Sequence, residues 1–137
     1  CGTLLPSKGK VFVSIDEDNK KYKLEIVKKL INLNFSIVAT KGTSRFLNYN
    51  SLKVETINKV KEGGAHIVDA IKQNKIDLVI NTTKTQGSIR DSYSIRRTSL
   101  TYNIPYYTTI AGAKVAVDTI EHLKKNNLKV KSLQDLL

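Results

Sequence analysis

Three apolar runs decide what this chain can become: Val11-Phe12-Val13-Ser14-Ile15, Phe35-Ser36-Ile37-Val38-Ala39 and Ile76-Asp77-Leu78-Val79-Ile80. Runs so continuously apolar read as strands buried on both faces, which is the condition of a parallel sheet covered by helices. The segments between them have helical spacing. From Lys20 to Leu33, Tyr22, Ile26, Leu30 and Leu33 recur at helical intervals, with Val27 and Ile31 beside them. Further helices are expected over Ser44 to Asn48, His66 to Lys72, Ser88 to Tyr102 and Gly112 to Lys125, with an extra turn at Ser132 to Leu137. The last long helix should turn Ala113, Ala116, Val117, Ile120 and Leu123 inward, and Leu100 should lie near the apolar side of its predecessor. Leu52 to Glu55 reads as a weaker third strand and Pro105 to Thr109 as a short last one. The expected fold is α/β: a doubly wound, five-stranded parallel sheet with helices on both faces.

In such sheets ligands bind beyond the carboxyl ends of the strands, at the switch in strand order. The polar residues that end the strands are therefore the candidates: Ser14, Thr40 to Thr43, Asn81 to Thr83, Thr108 and Thr109. Thr40-Lys41-Gly42-Thr43 stands where a strand passes into a helix. Backbone N–H groups, two hydroxyls and an ammonium there suit a phosphate. Alone, the stretch reads equally well as a capped turn. The second Thr-rich strand end and the loop lysines Lys20 and Lys59 favour an anion. No Gly-x-x-x-x-Gly-Lys-Ser/Thr or Gly-x-Gly-x-x-Gly stretch is present, which disfavours Walker-type hydrolysis.

The net charge of +11 raises the question of nucleic acid. The lysines are scattered rather than blocked, and the few aromatics do not interleave with them. Solvated helix faces explain the charge better than a polyanionic partner. A mean hydropathy of −0.26 and the lack of a long apolar run argue against a membrane. Cys1 is the single cysteine, so no internal disulfide framework exists and the cytoplasm is the expected compartment. The sequence opens Cys-Gly-Thr without a methionine. Residues 1–8 are expected to be a linker from a larger chain, and 9–137 the domain.

Two histidines are present. His122, among Glu121, Lys124 and Lys125, reads as solvated. His66 reads as a helix-start hydrogen-bonder or a site-lining residue. Asp16, Glu17 and Asp18 suit turn and cap duty, and neither a nucleophile–base set nor metal-ligand spacing is visible. Asp91 with Arg96 and Arg97 reads as a charged helix with local ion pairs, or as a face turned to a partner.

Taken together, Gly9 to Ser14, Phe35 to Thr43, Asn58-Lys59-Val60-Lys61-Glu62-Gly63, His66 to Asp69, Ile76 to Thr83, Ile89 to Arg97 and Asn103 to Thr109 occur in an order that closely resembles a known family. It is the C-terminal regulatory domain of carbamoyl phosphate synthetase large chains, of the methylglyoxal-synthase-like fold. The resemblance runs from about Lys8 to Lys125. It implies an allosteric nucleotide site for UMP or IMP. Lys20, Thr40, Thr43 and Lys59 would hold the phosphate and Gly42 would let the backbone approach. Ser14, Asn81 and Thr83 would surround ribose and base. Asp91, Tyr106 and Thr108 match positions that meet ornithine where this domain joins the synthetase body. The resemblance also implies a glutaminase small chain as partner and a parent ligase using ATP with Mg or Mn, with no cofactor in this domain. An alternative within the same fold is a phosphate-dependent lyase of the methylglyoxal synthase type. That chemistry needs a carboxylate in a Gly-Gly-Asp loop, and here the loop reads Gly63-Gly64-Ala65. A histidine- and lysine-rich cyclohydrolase motif is also missing.

Overall fold

The computed structural model describes residues 9–15, 20–57, 67–82 and 86–136. Five strands and five helices alternate through them: β1 Gly9–Ser14, α1 Lys20–Asn32, β2 Phe35–Ala39, α2 Lys41–Tyr49, β3 Glu55–Thr56, α3 Ile67–Lys72, β4 Leu78–Asn81, α4 Gln86–Thr101, β5 Tyr106–Tyr107 and α5 Ile110–Leu136. All pairings are parallel, in the order β3-β2-β1-β4-β5. The chain thus builds outward from β1 to β3, then crosses back to place β4 on the other side of β1. The switch in order falls between β1 and β4.

Side-chain alternation sorts the two faces. Val11, Val13, Ile37, Ala39, Leu78 and Ile80 pack with Ile26, Val27 and Leu30 of α1, Leu47 of α2 and Ala113, Val117 and Ile120 of α5. Phe12, Val38 and Val79 face the other way, onto Ile67, Val68, Ala70 and Ile71 of α3 and Ile95 of α4. A middle strand apolar on both faces, as Val11-Phe12-Val13 is, therefore feeds two cores at once.

The helices stop by a shared device. Asn34, Ser51, Asn74 and Asn103 each have positive φ and each lies two residues past the end of α1, α2, α3 or α4. At α2 the Leu52 N–H donates to the Leu47 carbonyl and Ser51 to Asn48; Lys75 to Ala70 and Ile104 to Ser99 repeat the longer bond. This is the Schellman closure, here using asparagine or serine where glycine is commonest.

That closure explains one departure from expectation. Leu52 still serves the end of α2, and the Val54 N–H is taken by the Asn48 side chain. Pairing with β2 begins only at Val38 with Glu55, so the third strand starts at the last residue of the segment the sequence suggested. The expected last turn is continuous with the long helix, because no breaker separates them and α5 runs to Leu136. Tyr22, Leu100 and Leu123, expected inward, are exposed. In α1 the buried stripe is Lys23, Ile26, Val27 and Leu30, one residue round from Tyr22.

Candidate functional site

β1, β2 and β4 end together at one sheet edge. Ser14 and Asn81 are register partners and the last residues of their strands. The Thr82 N–H donates to the Ser14 carbonyl at 2.9 Å and ties the two strand ends. Val13 pairs with Ala39, so the next residue of β2, Thr40, falls beside Ser14. Alternation puts Ser14, Thr40 and Asn81 on the same face, two residues beyond Phe12, Val38 and Val79. Each is almost wholly buried, at 2%, 7% and 4% exposure. Burial of such groups is favourable only with polar partners, so this edge is built to be polar.

Thr40 keeps extended backbone angles, φ −66° and ψ 162°, and α2 starts at the next residue. Its side chain makes no cap hydrogen bond to the helix. The stretch expected as a turn is thus mostly helix: Gly42 and Thr43 lie in the first turn of α2. Thr43 is buried and Gly42 is exposed. The Ser44 N–H donates to the Thr40 carbonyl at 2.7 Å, opening the helical ladder. The first-turn N–H groups, which a helix cannot satisfy internally, lie at the end of β2 with the positive end of the helix dipole.

Asn81 donates from its side-chain nitrogen to the Tyr106 hydroxyl at 3.2 Å. Tyr106 pairs with Val79 in the sheet, so its ring leaves β5 on the face that carries Asn81. Burial pushes the Tyr106 phenol above the ordinary tyrosine range, while the Asn81 bond and the positive charge of Arg96 act against that shift. Thr108 is exposed at the end of β5. Lys20 opens α1 and Asp91 lies on α4. Lys59 and Thr83 lie outside the described residues, as do His66 and the Gly63-Gly64-Ala65 loop.

A family model described as the MGS-like domain matches residues 23–108. The match takes in β2, β4, β5 and the start of α2. The chain belongs to the MGS-like domain family. Curated relatives carry the name "Carbamoyl phosphate synthase large chain". That of Brucella suis is 46% identical over 98% of this chain, that of Myxococcus xanthus 43% over the whole of this chain, and that of Methanobrevibacter smithii 41% over 98% of this chain. The chain spans about 12–13% of the length of these relatives. The parallel sheet and its two helical layers agree with membership of the MGS-like family.

Several buried polar residues near this edge of the MGS-like domain were not singled out from the sequence. Ser44 is 3% exposed; its hydroxyl lies 2.7 Å from that of Thr56 and links α2 to the end of β3. Lys23 is 2% exposed, with its ammonium 4.9 Å from the centre of the Phe46 ring. The signal for Lys23 was available: it is three, four and seven residues before Ile26, Val27 and Leu30. Among the described residues no helix is long and apolar enough to cross a membrane, and no three His, Cys, Asp or Glu side chains gather as a metal site.

Proposed function

We propose that this chain is the effector-binding, allosteric domain of a carbamoyl phosphate synthase large chain. The observation that carries the reading is the juxtaposition at the switch point: the start of α2 beside the facing pair Ser14 and Asn81. A phosphate sits at the α2 N-terminus, against Thr40 and Thr43, with Lys20 and Lys59 supplying positive charge. Asn81 is two strand spacings from β2, roughly 10 Å. A phosphate alone does not bridge that gap; a nucleoside attached to it does. A nucleoside monophosphate fits that span, and the resemblance implies UMP or IMP, with Ser14, Asn81 and Thr83 around ribose and base.

The relatives' name supports a carbamoyl phosphate synthase as parent; the resemblance implies a ligase that uses glutamine-derived ammonia, bicarbonate and ATP with Mg or Mn. Its setting is cytoplasmic, its partner a glutaminase small chain, and its product serves pyrimidine and arginine synthesis. The domain itself is a sensor without catalysis. Asp91, Tyr106 and Thr108 form its half of an ornithine-responsive contact with the synthetase body. Binding changes the surface near α4 and the end of β5 and biases that body by about 1–3 kcal/mol, the usual size of allosteric coupling.

Calorimetric titration with UMP tests the site. The expected result is saturable one-to-one binding that weakens strongly in Lys59→Ala. Equal affinity in the two proteins rejects the phosphate site. Robust formation of methylglyoxal from dihydroxyacetone phosphate would replace the sensor by a lyase.

A further inference from the structure

We infer that Tyr106 is a positioning residue of the nucleotide site, acting through Asn81. The inference rests on the nucleotide reading above and adds to it a residue from the neighbouring strand. The Asn81 amide is 4% exposed at the tip of β4, and its nitrogen donates to the Tyr106 hydroxyl at 3.2 Å. The last torsion of an asparagine is broad and roughly two-fold, so an amide at a strand end needs an outside partner to keep one orientation.

Tyr106 is well suited to be that partner. Its own position is set by the β4–β5 pairing with Val79 and by packing against the core beneath α3 and α4. The hydroxyl therefore approaches Asn81 from a fixed direction, one strand further from the α2 N-terminus. Ser14 and Thr40 lie on the opposite side of Asn81, on β1 and at the end of β2. Tyr106 thus orients the group that meets the nucleoside without touching the part of the site that meets the phosphate. It is a determinant of nucleoside recognition rather than of anion binding.

The test is a double-mutant cycle on the 137-residue chain, with Tyr106→Phe, Asn81→Ala and their combination. UMP and inorganic phosphate are titrated separately into each protein. Tyr106→Phe keeps the ring and removes only the oxygen. It should weaken UMP by about fivefold to tenfold, the worth of one oriented hydrogen bond. Phosphate affinity should stay at the wild-type value, which also reports that the fold is intact. In the Asn81→Ala background, Tyr106→Phe should bring no further loss of UMP affinity. Wild-type UMP affinity in Tyr106→Phe, or an equal loss in both backgrounds, overturns the inference while leaving the nucleotide site standing. A parallel loss of phosphate affinity also overturns it, since the role would then be structural. If the wild-type chain binds no UMP, the nucleotide reading fails, and this inference with it.

Discussion

Ser14 and Asn81 face each other as the closing residues of β1 and β4. Among the described residues, β1 and β4 are the only adjacent pair of strands that are not consecutive in sequence. On either side of that junction the connections lead away, β2 and its helix one way and β5 the other. The polar residues at the junction's carboxyl end are therefore set by strand pairing rather than by loop conformation. This gives the edge a rigid floor, on which α2 directs its N-terminus from one side and Tyr106 its hydroxyl from the other.

The first prediction concerns the opposite end of β1. Gly9 has φ +126°, and a Cβ placed there would lie 1.9 Å from Asp77 Oδ2. The same carboxylate oxygen accepts the Lys10 N–H at 2.9 Å. Gly9→Ala meets both a left-handed backbone and a collision with a side chain that is already committed. It should cost about 2–3 kcal/mol, the scale of a strained backbone plus a displaced hydrogen bond. Urea denaturation checks this; a change below about 0.5 kcal/mol would mean that β1 begins elsewhere.

Much of this architecture was legible in the chain. Val11 to Val13, Phe35 to Ala39 and Leu78 to Ile80 could be strands only in a doubly covered sheet, and the polar residues after them, Ser14, Thr40 and Asn81, fall together at one sheet edge. What stayed hidden depended on facts that a linear pattern does not hold. Lys23 is written as a charge, yet its long aliphatic stem lets it occupy the buried stripe of α1. The start of β3 was displaced because Leu52 and Val54 are used to close α2. Leu100 and Leu123 are apolar but exposed, and no rule forbids that for a scattered leucine. The Asn81–Tyr106 bond joins residues 25 positions apart and needs the strand order before it can be seen.

Charged pairs on the α1–α5 side should matter little. Lys29 hydrogen-bonds Asp118 and lies 3.7 Å from Glu121. Its pKa is raised above the ordinary lysine value, first by the Asp118 hydrogen bond, against a smaller effect of burial. A raised lysine pKa favours the folded state below the unfolded value, near 10.4, and that benefit is lost as pH rises through the folded pKa. With Asp118 exposed and Lys29 and Glu121 each about a third exposed, Lys29→Met should change stability at neutral pH by less than about 1 kcal/mol. Chemical denaturation at low and high salt checks it, with the small difference shrinking as salt is added.

Tyr106 makes a pH prediction of its own. Burial favours the neutral phenol in the folded chain. An unfolded tyrosine ionises near pH 10, so above that point the unfolded chain releases a proton that the folded chain retains. Stability from this group is complete below about pH 10 and falls as pH climbs through the higher folded value. The phenolate absorbance lost on Tyr106→Phe should therefore appear above pH 10 in the folded protein and near pH 10 in urea. A Tyr106 that titrates at the same pH in both would deny that burial governs its ionisation.

Gly42 separates structure from function most cleanly. It is exposed in the first turn of α2, with ordinary backbone angles, and a Cβ there would meet no atom within 4 Å. Among the described residues nothing requires glycine here, and alanine is the better helix former by up to about 1 kcal/mol, less in a terminal turn. Gly42→Ala should therefore leave stability unchanged or raise it by about 0.5 kcal/mol. Binding should move the other way. A Cβ in a helix tilts toward the N-terminus, so the new methyl would stand among the N–H groups offered to the phosphate. UMP affinity should fall about tenfold, or 1.4 kcal/mol, with inorganic phosphate weakened as well. The two measurements, urea denaturation and calorimetry on one variant, must diverge in sign. If stability rises while UMP binds as before, the phosphate does not approach the α2 backbone at Gly42, and the anion must be held by side chains alone.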